Sequence, residues 1–467
     1  MSDVTPGRRS ATPTTPRRRV TPAIVLAVLV PLLTLGALAL VRTEQPRVAA
    51  RPPELTELTR VSLGCPSAAG SDSRELAVGS ALATEDGEVA VDVLGSGGAP
   101  KSLDLRPGRV SSTQVPEAAV VTGEDDAAPG LLAARLGDGA ATACGPPLPE
   151  SWFPGVGARP AHASVIELVN PDPGPAIADL TILAPSGPLD VPAVRGIRVP
   201  GRSSIPLDLA RIIPRRTELA VQVVVSRGRL VSSVLDTVDA LGTGPSSSDW
   251  LTPQGRPVAT GVLLGLPSGP GSRRLTIANG GDDETRVQVR VISPESTFQP
   301  EGLGEIRIPP GSVQSVSLDA VLGPEIAAGA TGLLIEATHP VSAGLRSDVR
   351  DNLTHAVITP AVTRQGAALL PAGAKRLLLA GAERPGVATV VARSADGREL
   401  QEARVEIGPD RSVSARLPEG AASVSVEVSR TEAVVSVLVT SPRGAVVVPL
   451  AETVRSGLVP QVDPALP

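Results

Sequence analysis

The sequence is poor in aromatic side chains. It contains no Tyr, and Trp152, Trp250, Phe153 and Phe298 are its only aromatics. A core must therefore be packed from Val, Leu, Ile and Ala, whose branched members suit pleated, half-buried surfaces. A surface built on stacking, for sugars or bases, is thinly supplied. Lysine is nearly absent as well: only Lys101 and Lys375 accompany the arginines. Arg, Ala, Gly, Pro and Val in such excess reflect a GC-rich coding sequence. Histidine is limited to His162, His339 and His355, and cysteine to Cys65 and Cys144, which leaves little for a metal site. No HExxH, GxSxG, SxxK, P-loop or dinucleotide-binding pattern occurs, so the familiar hydrolase and nucleotide-binding classes lack their signatures. No cofactor is expected. The formal net charge of −5, with the basic residues of the first 42 positions offset by a more acidic remainder, speaks against nucleic acid as a partner.

Long apolar runs are also scarce, with one exception. Residues 20–41 carry no charge over about the length that crosses a bilayer. Arg17, Arg18 and Arg19 immediately precede them, which places the N-terminus in the cytoplasm and the rest outside. The expected layout is a basic cytoplasmic tail (1–19), a transmembrane helix (20–41), and a polar, Pro-containing stalk (42–60). A cleaved signal peptide is the alternative, with Ala37-Leu38-Ala39 as its cleavage-like site. Cys65 lies too far beyond the apolar run for a lipid anchor. Outside the cytoplasm, Cys65 and Cys144 are expected to form one disulfide, contributing about 4–5 kcal/mol in the chain-entropy picture.

The richest feature is a diverged repeat. A strand, Pro/Gly turn and strand recurs at Leu103, Ile197, Ile306 and Val405, roughly 100 residues apart. About 30 residues later comes what reads as a hairpin, from Leu131, Leu219, Gly332 and Ser423. A third anchor opens each unit: ELAVGSA from Glu75, VIELVNP from Val165, RLTIANG from Arg274 and RLLLAGA from Arg376. Val287, Val289 and Val291 alternate with charged or polar residues, the period of a strand with one buried face.

The expected fold class is all-β: tandem immunoglobulin-like antiparallel β-sandwich units of six or seven strands, after one N-terminal transmembrane helix. Unit 1 spans 61–150 and holds the disulfide. Units 2, 3 and 4 span 151–248, 249–364 and 365–455, and 456–467 is a C-terminal tail. A closed, propeller-like arrangement of the repeats is the alternative. In a string of units, the linker GTGPSSSD (242–249) implies flexibility.

Trp152 and Trp250 stand at unit junctions, where an aromatic plug is the plain reading and a sugar-stacking platform the sharper one. The histidines read as solvated turn residues, with His355 in a loop and His339 at a hairpin tip. The acidic stretches Glu124-Asp125-Asp126 and Asp282-Asp283-Glu284 read as solvated hairpin ends, with calcium binding as the weaker alternative. Asn352-Leu353-Thr354 is a glycosylation sequon.

The Arg-flanked anchor, the Pro/Ala stalk, the two-cysteine unit and strands such as LVNPDPG, ADLTILAPSG and IRVPGRSSIPLDL together resemble a family of unknown function among secreted or membrane-anchored proteins of high-GC Gram-positive bacteria. That resemblance implies location and architecture, and no catalytic residue. The expected function is non-enzymatic: a single-pass protein of the cell membrane whose extracellular ectodomain binds or scaffolds an envelope protein or a cell-wall polysaccharide. Alternatives are an accessory subunit of a membrane glycosyl-transfer or export system, and a hydrolase or transferase with a carboxylate site hidden in a cleft.

Overall fold

The computed structural model describes residues 22–40, 54–69, 73–239, 241–242, 244 and 246–459. The expected basic tail (1–19) and most of the stalk lie outside them. The chain divides into two compact units, one comprising residues 1–54 with 458–467 and the other Leu55–Gly457. In the first, Pro22–Leu40 is a helix with Pro31 inside it. Its described apolar side chains are exposed, Leu26 and Leu35 among them. Among the described residues no helix is long and apolar enough to cross a membrane. The described helix is shorter than the apolar run 20–41 of the sequence.

The second unit is all-β and antiparallel, and none of its sheets closes into a barrel. Strand pairing shows the same plan four times. The fourth β-unit displays it most plainly, with strands Gln365–Leu369, Ala374–Ala380, Gly386–Arg393, Glu399–Ile407, Val413–Leu417, Ser423–Ser429, Val434–Ser441 and Gly444–Pro449. The first, sixth, third and fourth strands make one layer; the fifth, second, seventh and eighth make the other. The first β-unit, from Arg60–Cys65 to Ala141–Ala143, pairs its eight strands identically. The second, from Glu150–Arg159 to Ser246–Leu251, and the third, from Val258–Leu264 to Asn352–Val357, keep these pairings and each add one short strand. In the second unit the first strand also pairs with the second, Ala158 with Ala163 and Arg159 with His162, joining both layers into one sheet. In an immunoglobulin sandwich the first strand lies beside the second and the last beside the sixth. Here the first lies beside the sixth and the seventh beside the second, so those two edge positions are exchanged relative to the expected order.

The repeat anchors now have causes. The strand–turn–strand at Leu103, Ile197, Ile306 and Val405 carries the chain from one layer to the other. The third residue after its leading strand is left-handed in every unit: Gly108, Arg202, Gly311 and Asp410, with φ of 68°, 49°, 61° and 57°. A glycine or a short polar residue favours that conformation at three of the four positions. The third anchor ends on Asn170 and Asn279, both fully buried. Asn170 Nδ2 donates to the carbonyls of Gly174, Val199 and Pro200 at 2.8, 3.2 and 3.0 Å. Asn279 Nδ2 donates to Asp283, Ile308 and Pro309 at 2.7, 3.1 and 3.2 Å. One amide thus fastens the following turn and the layer crossing together. It also explains part of the acidic stretch at Asp282-Asp283-Glu284, whose backbone serves this clamp.

The second anchor corrects the reading. In the second and fourth units it is no hairpin: Arg216–Arg227 and Val231–Asp239 pair with different partners, as do Ser423–Ser429 and Val434–Ser441. In the third unit both strands fuse into one, Gly332–Val349, which serves one layer with its first half and the other with its second. Only in the first unit does the anchor fall on a paired hairpin, Leu131–Leu136 with Ala141–Ala143. His339 accordingly lies within a continuous strand, and it is exposed.

Each β-unit has its own aliphatic core, and neighbours pack in turn. Leu94 and Val120 meet Val169 and Val231 between units one and two. Trp152, Leu183 and Ala220 meet Ala278 and Val313 between two and three. Val262, Leu264 and Ile292 meet Leu378, Ala380 and Leu438 between three and four. Ala77, Ala134 and Leu136 of the first unit join the core of the fourth, and Val110 N–H donates to Ala395 O at 3.0 Å. The contacts form a closed cycle, which an open string does not require. The four eighth strands neighbour one another all the way round. Ser246–Asp249, expected in a flexible linker, is strand, and the boundary expected at 248 falls inside Ser246–Leu251. The incoming strand Glu54–Glu57, assigned to the stalk, pairs with Ser456–Val459 of the expected tail.

Candidate functional site

Cys65 and Cys144 form a disulfide with an S–S distance of 2.03 Å. It joins the first strand to the residue after the eighth, stapling the ends of the first β-unit as the spacing implied. The two tryptophans are both buried. Trp152 lies against Gly280, where an added Cβ would come within 2.3 Å of its ring, and its Nε1 donates to Glu150 Oε1 at 2.7 Å. Neither ring offers a platform to a sugar. The sequon is closed too. Asn352 is buried, and its Oδ1 accepts from Ala445 N at 2.7 Å in the third–fourth junction, leaving no space for a glycan.

The largest departure from the sequence reading concerns the histidines. His162 and His355 are buried, and both converge on Asp236. His355 is within strand Asn352–Val357, not in a loop. Two strand rows build the cluster. Ser164, Asp236 and Asp249 lie directly opposite one another across three strands of the second unit. Arg274, Arg346 and His355 lie opposite one another across three strands of the third. An acidic row therefore faces a basic one.

His162 Nε2 is 3.0 Å from each Asp236 oxygen. Ser164 Oγ donates to Asp236 Oδ1 at 2.5 Å and accepts from Gly157 N at 2.9 Å. His355 Nε2 lies 3.1 Å from Asp236 Oδ2, a contact off the line of a hydrogen bond. Arg346 Nη1 lies 2.6 Å from His162 Nδ1. The same Nη1 is 2.8 Å from His162 Nε2, so the guanidinium is set against both ring nitrogens. Arg346 Nη2 and Arg274 Nε reach Glu218 Oε1 at 4.0 and 3.6 Å.

Burial alone would raise the Asp236 carboxyl. The imidazoles of His162 and His355 outweigh it and hold the group well below the usual carboxylate range. Asp249 goes the other way. Burial, only partly countered by His355, pushes it up to about 7, although its oxygens accept from His355 N at 3.0 Å and Trp250 N at 2.9 Å.

The cluster contains a serine, histidines and aspartates, yet serine and histidine both bond to the carboxylate rather than to each other. The nucleophilic arrangement, in which histidine takes the serine proton, is not formed. Its geometry is that of a clasp between two β-units. The sequence signal was present: Asp236 and His355 interrupt otherwise apolar strand faces. No pattern of spacing linked them, because they are brought together by the packing of separate units. Buried cations escape the same search, because their partners are backbone carbonyls of their own unit. Arg135 donates to the carbonyls of Pro66, Val115 and Glu117, and burial lowers its pKa to about 10. Lys375 donates to Gly373 and Glu419 carbonyls at 2.9 and 2.7 Å.

Ligand-sized space lies at other junctions. Between the third and fourth units is a cleft of about 720 Å³, floored by Val262, Ile292 and Val434 and rimmed by Arg256, Glu383, Asp410 and Arg411. The edge strand Val258–Leu264 borders it. Its far side is covered near Leu263 by Ile358 and near Val262 by Thr359, while Val258, Ala259 and Thr260 are exposed. Between the first and fourth units is a second cleft of about 410 Å³ with aliphatic walls. Among the described residues no group of three or more His, Cys, Asp or Glu is placed to hold a metal ion.

These features define an all-β protein of several β-units whose open space lies between them. Residues 133–418, more than half of the chain, match the family of unknown function DUF5719, and the protein belongs to that family. No curated protein matches the chain.

Proposed function

We propose that this is a single-pass, membrane-anchored, non-enzymatic protein of the cell envelope, with its ectodomain of immunoglobulin-like units, edge strands exchanged, held as a closed ring. Its task is to bind an extended segment of an envelope protein in the cleft between the third and fourth units. The uncharged run 20–41 behind Arg17–Arg19, the exposed apolar side chains of helix Pro22–Leu40 and the Cys65–Cys144 disulfide support anchoring and export. The observation that carries the binding reading is the exposed edge at Val258–Thr260 along a cleft with an apolar floor and a rim of both charges. An unpaired edge accepts a further strand, main chain giving affinity and pockets giving specificity. The cleft has no aromatic lining, which favours a polypeptide over a cell-wall polysaccharide.

The test is affinity capture from solubilised membranes with the full-length, C-terminally tagged protein, compared with a Val258→Lys, Thr260→Lys variant. Lysines on an edge block strand addition. A defined envelope protein recovered with the parent and lost with the variant is the expected result. Recovery of only wall polymer, or equal recovery with both proteins, overturns the reading. If the partner is a membrane glycosyl-transfer enzyme or an exporter, the protein acts as its accessory subunit.

A further inference from the structure

The cleft between the first and fourth units differs in kind from its larger neighbour. Its walls are Leu63, Leu131, Leu136, Leu369 and Val448, all buried, with Val454 half-exposed at the mouth. No aromatic ring lines it. The charged residues at its margin are engaged elsewhere. Arg229 makes two hydrogen bonds to Asp172, Arg60 pairs with Glu124 at 3.3 Å, and Glu452 accepts from Thr363 N at 2.7 Å. Among the described residues that line the cleft, Thr453 is the one whose buried hydroxyl has no hydrogen-bond partner. The volume of about 410 Å³ falls within the range of ligand pockets.

We infer that this cleft takes a single long hydrocarbon chain, acyl or isoprenyl, carrying one hydrogen-bonding head group that meets Thr453. Aliphatic walls offer an occupant burial and dispersion contacts but neither stacking nor ionic pairing, which selects an alkyl chain over a sugar, a nucleotide or a charged peptide. A single buried, unpartnered hydroxyl matches a ligand polar at one end only. Anchoring, on which the source of the lipid rests, adds a supply. Leu58 at the mouth follows the apolar run by fewer than about 20 residues, a chain length that spans at most about 60 Å.

The experiment uses the full-length protein in phospholipid vesicles. A palmitic acid bearing a terminal diazirine is added in one arm, and a phosphatidylglycerol with the same chain esterified in the other. After irradiation, labelled peptides are mapped by mass spectrometry. Label is expected on peptides containing Leu58–Leu63, Leu131–Ala143 and Val448–Val454. It should fall roughly tenfold, equivalent to about 1.4 kcal/mol of binding, when Ala143→Phe fills the cleft from its exposed wall. Val454→Glu at the mouth is a second variant should Ala143→Phe not fold. Labelling by the acid alone assigns a free fatty acid; labelling by both assigns a membrane lipid. Absence of ectodomain label, label indifferent to both variants, or crosslinks showing residues 42–53 of the same chain in the cleft overturn the inference. Label on residues 22–40 reports the anchor separately, so failure of the cleft and failure of anchoring are told apart.

Discussion

The second–third and third–fourth junctions join units of the same topology with opposite chemistry. Between the third and fourth, Val262, Leu264 and Ile292 meet Leu378, Ala380 and Leu438, and the polar contribution is modest, with Thr331 Oγ1 donating to Ser412 Oγ at 2.7 Å. Between the second and third, Trp152 provides an apolar half, while buried Asp236, His162 and His355, with half-buried Arg346 beside them, provide a polar half. Apolar contact is non-directional and tolerates small rotations. A buried carboxylate with two imidazoles accepts one geometry and penalises every other, because an unpaired buried charge is costly. The polar junction therefore fixes the angle between units, and the apolar one is where a cleft opens.

Breaking the polar side should have the largest effect. Asp236→Ala removes the group on which both histidines converge and leaves Ser164 without its acceptor. The expected loss is about 3–5 kcal/mol in chemical denaturation. A loss no larger than that of an exposed ion pair contradicts the clasp.

The next effect concerns pH. The folded-state carboxyl of Asp249, at about 7, lies above its unfolded value. Its contribution to stability is thus fully present below about pH 4 and is lost as pH rises through 7, by an amount on the order of 3 kcal/mol. Asp236, shifted downward, keeps its own contribution throughout that window. Unfolding free energy measured from pH 4 to 7 should fall less steeply in Asp249→Asn than in the parent.

At the apolar junction, Leu378→Ala should cost about 2–3 kcal/mol, the lower part of the range for buried leucine, since side chains at a junction can close in. Its cost should not vary with pH, which sharpens the contrast. Smallest of the four is Asn279→Ala, at about 1–2 kcal/mol. Hydrogen exchange should place the loss at the turn near Asp283 and the crossing near Pro309. Loss spread evenly over the unit would argue against a local clamp.

Much of the fold was legible in the sequence. Alternation such as Val287, Val289, Val291 is set by the pleat, and the repeat anchors mark layer crossings whose left-handed residue and buried asparagine are local requirements. What was not legible was relational. An apolar run with a turn reads the same whether its halves pair with each other or with strands elsewhere, so the second anchor was mistaken for a hairpin. His162, Asp236 and His355 are separated by long stretches of chain and meet only because the second and third units pack together. A search for motifs by spacing passes over such a site.

In the closed cycle every β-unit has a neighbour on both flanks. Linear repeat proteins lengthen or shorten by one copy, provided that capping repeats cover the ends. This ring has no ends to cap, and its last unit carries the surface that fits its first. Copy number is therefore fixed by geometry: duplicating or deleting one unit changes the closure angle at every junction at once.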